Sequence, residues 1–449
     1  MQHDTAGHAL TTDSADAAEA IGAAATSFVG FRTDAMDHLA AATKADPGFA
    51  LAHAARGLML TTMRKPEVHR KAHECLAAAK AARTPETERE ARYIAALDAM
   101  LAGKIADAAV HYEAITTAHP RDILALRLAQ LELFWLGEMA WSRDISERAA
   151  PAWQPGDEGL AAFLAIRAFA LEETGNYAEA ERCGRAAIDL DPTESWGAHA
   201  VAHVLIMQAR LGDGIAWCNG LSGNWDAANH IRHHNWWHLA LFHIEARDTD
   251  AALTIYDERL RDLDSPLMKA VPDLYIDIQN DVALLERLAL RGIDVGPRWG
   301  DVAELAAGRI GNHTNAFTSP HCTLALAAAG RLDEADETIR AMEAFIASDH
   351  GSLGPRYALA ALPAARAAIA HKKGDHAAVI HHLEPARRNL WQMGGSHAQR
   401  DLFFQILANA AQKTGRKDLL ATLMAEMGGL GLEHLEERSS YADALASLH

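Results

Sequence analysis

The sequence predicts an all-α fold: an α-solenoid of about eleven helical hairpins, coiled into a right-handed superhelix that can close around a central pocket. Three observations predict it. Hydrophobic residues fill 49% of the 449 positions but aromatics only 6%, and the abundance of alanine favours helices packed closely on helices. No parallel strands are evident in the pattern of apolar residues. A turn residue, a helix and a proline stop also recur along the chain, as hairpin repeats require.

The first fourteen residues have neither a basic start nor an apolar core segment, so they are expected to lack order, leaving residues 15–449 as a single continuous array. Gly30, Ala35 and Pro47 share their offsets with Gly103, Ala108 and Pro120, and again with Gly175, Ala180 and Pro192. In the clearest copy Gly175 supplies the turn, Ala180 and Ala187 allow close packing, and Pro192 stops the second helix. Tyr112 takes a matching position in its own copy. This is the tetratricopeptide pattern. Further turns are read at Gly212, Arg247, Gly330, Gly374 and Gly415, spaced at single or double multiples of roughly 36 to 42 residues. Between Arg247 and Gly330 the repeat is degenerate. Stretches near 262–275 and 290–301, rich in Pro and Gly, are expected to interrupt the stack as longer loops.

A net charge of −18 and a pI near 5.7 argue against nucleic acid or an anionic membrane as partner. No stretch approaches 18 uninterrupted apolar residues. Cys75, Cys183, Cys218 and Cys322 are too scattered for a disulfide framework or a thiolate zinc site, which fits a reducing, cytoplasmic setting. The partner is then a small polar molecule or a peptide, and a homo-oligomer stays open.

Function in such arrays lies on the concave wall formed by the first helix of each hairpin. His234 and His238 lie thirteen and nine residues before the turn at Arg247, His199 and His203 the same distances before Gly212, and His321 nine before Gly330. All five are therefore expected on first helices. An i,i+4 pair puts both rings on one helical face, and neighbouring first helices lie about 8 to 10 Å apart, so the pairs can converge. Three chemistries fit. His199, His203, His234 and His238 could give four nitrogen ligands to a transition metal. All five could serve as acids, bases or hydrogen-bond donors to a substrate. Each could also be a buried ring satisfied by its neighbours.

Tryptophans crowd the region from 135 to 237. Trp236 falls at a packing position and is expected in the core, whereas Trp237 is expected to face the groove beside Asn235 and Trp196. In GGSHAQRD, Ser396 reads as an N-cap that puts Arg400 and Asp401 in the first helical turn. Arg400 could clamp a carboxylate or phosphate, or pair with an acid.

The strings SWGAHAVAH, HNWWHLAL, GIDVGPRW and GGSHAQRD resemble those of the tetratricopeptide repeat protein 38 (StaR-like) family, over nearly the whole chain. The resemblance implies recurring family positions at His199, His203, His234, Asn235, Trp237, His238, His321, Arg400 and Asp401. Gln130 stands where the family often has His. Some StaR-like proteins have been regarded as flavoprotein hydroxylases, but the chain has no G-x-G-x-x-G after a strand, so a conventional flavin fold is not supported. The cofactor is left unknown, with a transition metal open.

Two functions follow. The first is a pocket lined by the five histidines with Trp196, Asn235, Trp237, Arg400 and Asp401 that binds a small polar metabolite and acts on it by acid/base or metal-assisted chemistry. The alternative is a non-enzymatic scaffold gripping an extended peptide or partner protein.

Overall fold

A computed structural model describes residues 1–84, 86–348 and 351–448. Among these the fold is all-α apart from one small N-terminal strand pair, and eleven helical hairpins follow one another as tetratricopeptide-like repeats. No helix among them is long and apolar enough to cross a membrane. The chain forms two compact units: Met1–Ala200 with two short later pieces, and Val201–Gly223 with most of the chain from His230 onward.

The first unit holds the hairpins Ala15–Val29/Ala35–Ala45, Ala50–Thr61/Pro66–Ala81, Glu88–Leu101/Ile105–Ala118, Ile123–Leu136/Met139–Ala149 and Leu160–Glu172/Tyr177–Leu190. The repeat alanines do what their spacing predicts: Ala108, Ala180 and Ala187 are fully buried, and so is Tyr112. Gly103 and Gly175 turn the chain with φ of 74° and 82°, in the left-handed region that glycine enters without a Cβ clash. At the first hairpin this conformation falls on Phe31 rather than on Gly30. Ala15–Val29 also touches Ile123–Leu136, three hairpins on, so the unit curls. The N-terminal segment is ordered, contrary to expectation. Gln2–His3 pairs antiparallel with Ala9–Leu10, and Asp4 meets Arg89 at 3.0 Å, within a buried cluster where Arg89 and Tyr93 share Asp122. Charge pairing between buried groups holds a segment whose composition alone would leave it loose.

The second unit takes up the end of Ser195–Met207 and pairs it with Leu211–Leu221. It continues with Ile231–Glu245/Thr249–Ile255, Tyr275–Leu290/Trp299–Ala307, Thr318–Ala328/Leu332–Ser348, a first helix from Gly354 to Lys372 paired with His376–Ala386, and His397–Lys413/Lys417–Gly429. Ser439–Ala446 closes the chain. First helices here are packed on both sides, and the run from Asp277 to Leu288 is buried throughout. Tyr275–Leu290 touches His397–Lys413, beyond two intervening hairpins, and Ser439–Ala446 packs on both Ile231–Glu245 and His397–Lys413. The inner wall of this unit is thereby filled by side chains.

The expected frame at Gly212 needs correction. Ala209, with φ of 53°, makes the turn assigned to Gly212, which lies inside the second helix. His199 and His203 therefore fall ten and six residues before their turn, not thirteen and nine, and are not register-equivalent to His234 and His238. Of the two expected loops, the first contains a short helix, Pro266–Ala270, capped by Ser265, and the second is pinned where Arg298 pairs with Asp257.

Candidate functional site

Polar side chains on the first helices of the second unit meet along a buried seam. Ile231–Glu245 carries His233, His234 and His238, with His230 as its N-cap residue, and faces Asp277, Asn280, Asp281 and Arg287 on Tyr275–Leu290. Taken from His230 and from Asp277, the other members lie one or more helical turns further on, as adjacent pairs at 233/234 and 280/281 and then His238 and Arg287, so each set lies along one side of its helix. His203, His321, Arg400 and Asp401 come from three further first helices, and all of these groups are buried.

Three imidazoles form the centre. His203, His234 and His238 each bring a ring nitrogen within 4.8 Å of the others, with ring centroids 4.4 Å apart for His203 and His238 and 4.9 Å for His234 and His238. Nδ1 of His234 donates to Oδ1 of Asn280 at 2.7 Å, which fixes its tautomer and leaves Nε2 as the lone-pair nitrogen. Trp237 stacks on His234 at 5.1 Å, and the Arg287 guanidinium lies 5.5 Å from the Trp237 ring. Trp237 is fully buried whereas Trp236 is only half-buried beneath Arg259, the reverse of their expected roles. Asn235 is buried on the same helix.

Burial makes these rings neutral. It pushes His234 down to about 4, against the opposing effect of the hydrogen bond that His234 donates to Asn280. His203 and His238 fall well below the usual imidazole value, by burial first and then by nearby charge: His234, His397 and Arg400 for His203, and His203, His234 and Arg287 for His238.

His199 is one helical turn before His203 and belongs to the first unit, where its ring stacks on Trp196 at 4.3 Å and meets Phe169 at 5.1 Å. Trp196 in turn packs on Phe31, with Arg127 5.2 Å from its ring. Gln130, at the position where the resembled family often has His, accepts from Arg127 and donates to the Ile166 carbonyl. His321 is fully buried, with Nδ1 on the Phe317 carbonyl at 2.8 Å and Nε2 without a partner. Burial brings it down to about 4.

Sequence reasoning missed a second cluster. Nδ1 of His230 and Nδ1 of His233 both donate to the Asp277 carboxylate, the latter at 3.0 Å. Burial works against the Asp277 charge, yet these hydrogen bonds and the nearby rings hold its carboxyl down to about 2. Asp281, one turn further on, is pushed well above the usual carboxylate range by burial, in spite of Arg261 at 3.5 Å. The signal available was His230 with His233 at i,i+3; Asp277 lies 44 residues beyond His233, where local spacing says nothing.

Ser396 caps His397–Lys413 in a full capping box with Gln399, as its sequence suggests. Arg400 donates to the Gly395 carbonyl. Asp401 accepts from Gln405 at 2.9 Å, from Arg438 at 2.8 Å and from Tyr441. Arg438 also reaches Glu245 at 2.9 Å, so Asp401 joins the network that closes the C-terminal segment. A cavity of about 370 Å³ opens beside His397, Arg400 and Asp401.

No family model matches the chain. Among solved structures it is similar to the P58(IPK) TPR domain, at 12% identity over 90% of this chain and 99% of that one, with a TM-score of 0.20. A TM-score that low has no bearing on fold or function, and the fold rests on the hairpins themselves.

Neutral imidazoles on rigid helices are suited to ligating a transition metal, because no proton has to be displaced first. Rings held this far below the usual imidazole value by burial are weak bases at neutrality. The site's chemistry is thus that of lone pairs rather than of proton transfer.

Proposed function

We propose that this hairpin array holds a transition-metal centre on His203, His234 and His238 and uses it to bind, and act on, a small polar metabolite. The observation that carries the reading is the convergence of three neutral imidazoles within 4.8 Å, one of them oriented by Asn280. Three histidines are a ligand set for catalytic zinc, leaving a position for water or substrate. A metal there would polarise a bound carbonyl or lower the pKa of a bound water. The strings SWGAHAVAH and HNWWHLAL, through which the chain resembles the tetratricopeptide repeat protein 38 (StaR-like) family, are the ones that carry these rings. An open groove for an extended peptide is less favoured, since polar side chains of the inner wall in this unit are already packed together.

Cobalt(II) titration of untagged, chelator-treated protein tests the proposal. One equivalent is expected to bind with visible ligand-field absorption, and His203→Ala with His238→Ala to abolish it. Asn280→Ala should weaken binding by about 10- to 100-fold, since it frees the His234 ring. No cobalt binding by the native chain, or equal binding by the double variant, refutes the reading.

A further inference from the structure

The cavity of about 370 Å³ in the second unit lies within the size range of small-molecule sites. Its charge sets it apart in a chain of net charge −18. Arg387, Arg388, Arg400 and His397 line it, against two carboxylates that are both engaged. Glu426 is shared by Arg387 at 2.7 Å and Arg388 at 2.8 Å, and Asp401 is held by Arg438. Three guanidinium groups therefore stand against two carboxylates at its wall. Arg400 and His397 also stand in the first turn of a 17-residue helix, where the macrodipole favours negative charge.

The remaining wall is apolar. Phe404, Met427 and Leu432 are buried in it, whereas Trp391 and Leu430 keep 41% and 42% of their surface exposed. A wall that combines guanidinium groups with large apolar side chains, two of them part-exposed, describes an amphiphilic site.

We infer that this cavity binds a small oxyanion with an apolar body, its carboxylate or phosphate head on Arg400 and His397 and its body against Trp391, Phe404 and Leu430. A planar guanidinium receives either head bidentately. The inference goes beyond the metal centre and does not require it, although His397 and Arg400 are near enough to His203 to depress its basicity.

Calorimetric titration of the full chain in excess chelator, with octanoate and with octyl phosphate, tests it apart from the metal. One of the two is expected to bind one per chain, roughly tenfold or more tighter than acetate or inorganic phosphate, and octylammonium not to bind. The tighter head identifies the class. Arg400→Gln should weaken binding about tenfold. Should that variant misfold by circular dichroism, Arg388→Glu and Trp391→Ala decide, because both sites are exposed and each should still weaken binding several-fold. Equal binding of octylammonium, no binding of either anion, or indifference to all folded variants overturns the inference.

Discussion

A histidine gains or loses chemical meaning through burial. His321 titrates near 6.5 in an unfolded chain but only at about 4 in the fold. The unfolded chain thus takes up a proton between these values while the native one does not. Stability is full above pH 6.5 and is lost as pH falls towards 4, by about 3 kcal/mol for this ring. His321→Gln, which can keep a donor for the Phe317 carbonyl, is expected to flatten the fall of the melting temperature between pH 6.5 and 4; an unchanged profile would contradict the assignment. The i,i+4 spacing of His234 and His238 was legible, and the structure does bring those rings together. Asn280 and Asp277 were not legible, because they reach the histidines from a separate helix more than forty residues away.

Helices carry the site, and their ends set its register. The turn into His397–Lys413 depends on Gly395, whose φ is 77° and where an added Cβ would lie 2.6 Å from the buried Phe317 ring. Gly395→Ala combines backbone strain with overpacking, and is expected to cost about 2 to 4 kcal/mol. It should also disturb Ser396, and with it the placement of His397 and Arg400, so denaturation midpoint and octanoate binding should fall together. The same logic explains the misplaced frame at Gly212. Glycine is the preferred turn residue, but Ala209 takes the left-handed conformation, so the nearest glycine misleads. Phe31 and Arg247 occupy the same region at other turns, so the repeat tolerates side chains there.

On the scale of the whole molecule, contacts far apart in sequence decide what the hairpins enclose. Arg438 joins Glu245, 193 residues before it, to Asp401, and all three are buried. Burial raises the Glu245 carboxyl, but Arg438 and Arg291 bring it down to about 2. Arg438→Met leaves two buried carboxylates short of a partner and is expected to destabilise the second unit by about 3 to 5 kcal/mol. Thermal melts measure this, and a shift no larger than that of an exposed substitution would remove the network's structural role. The hairpin rhythm, the all-α class and the placement of the histidines on first helices were determined by the sequence alone, because turn chemistry and helical periodicity act within a few residues. Which rings meet, which carboxylates they meet and where a cavity remains were decided by the tertiary structure. Those depend on packing between helices tens to hundreds of residues apart, and local spacing carries no record of it.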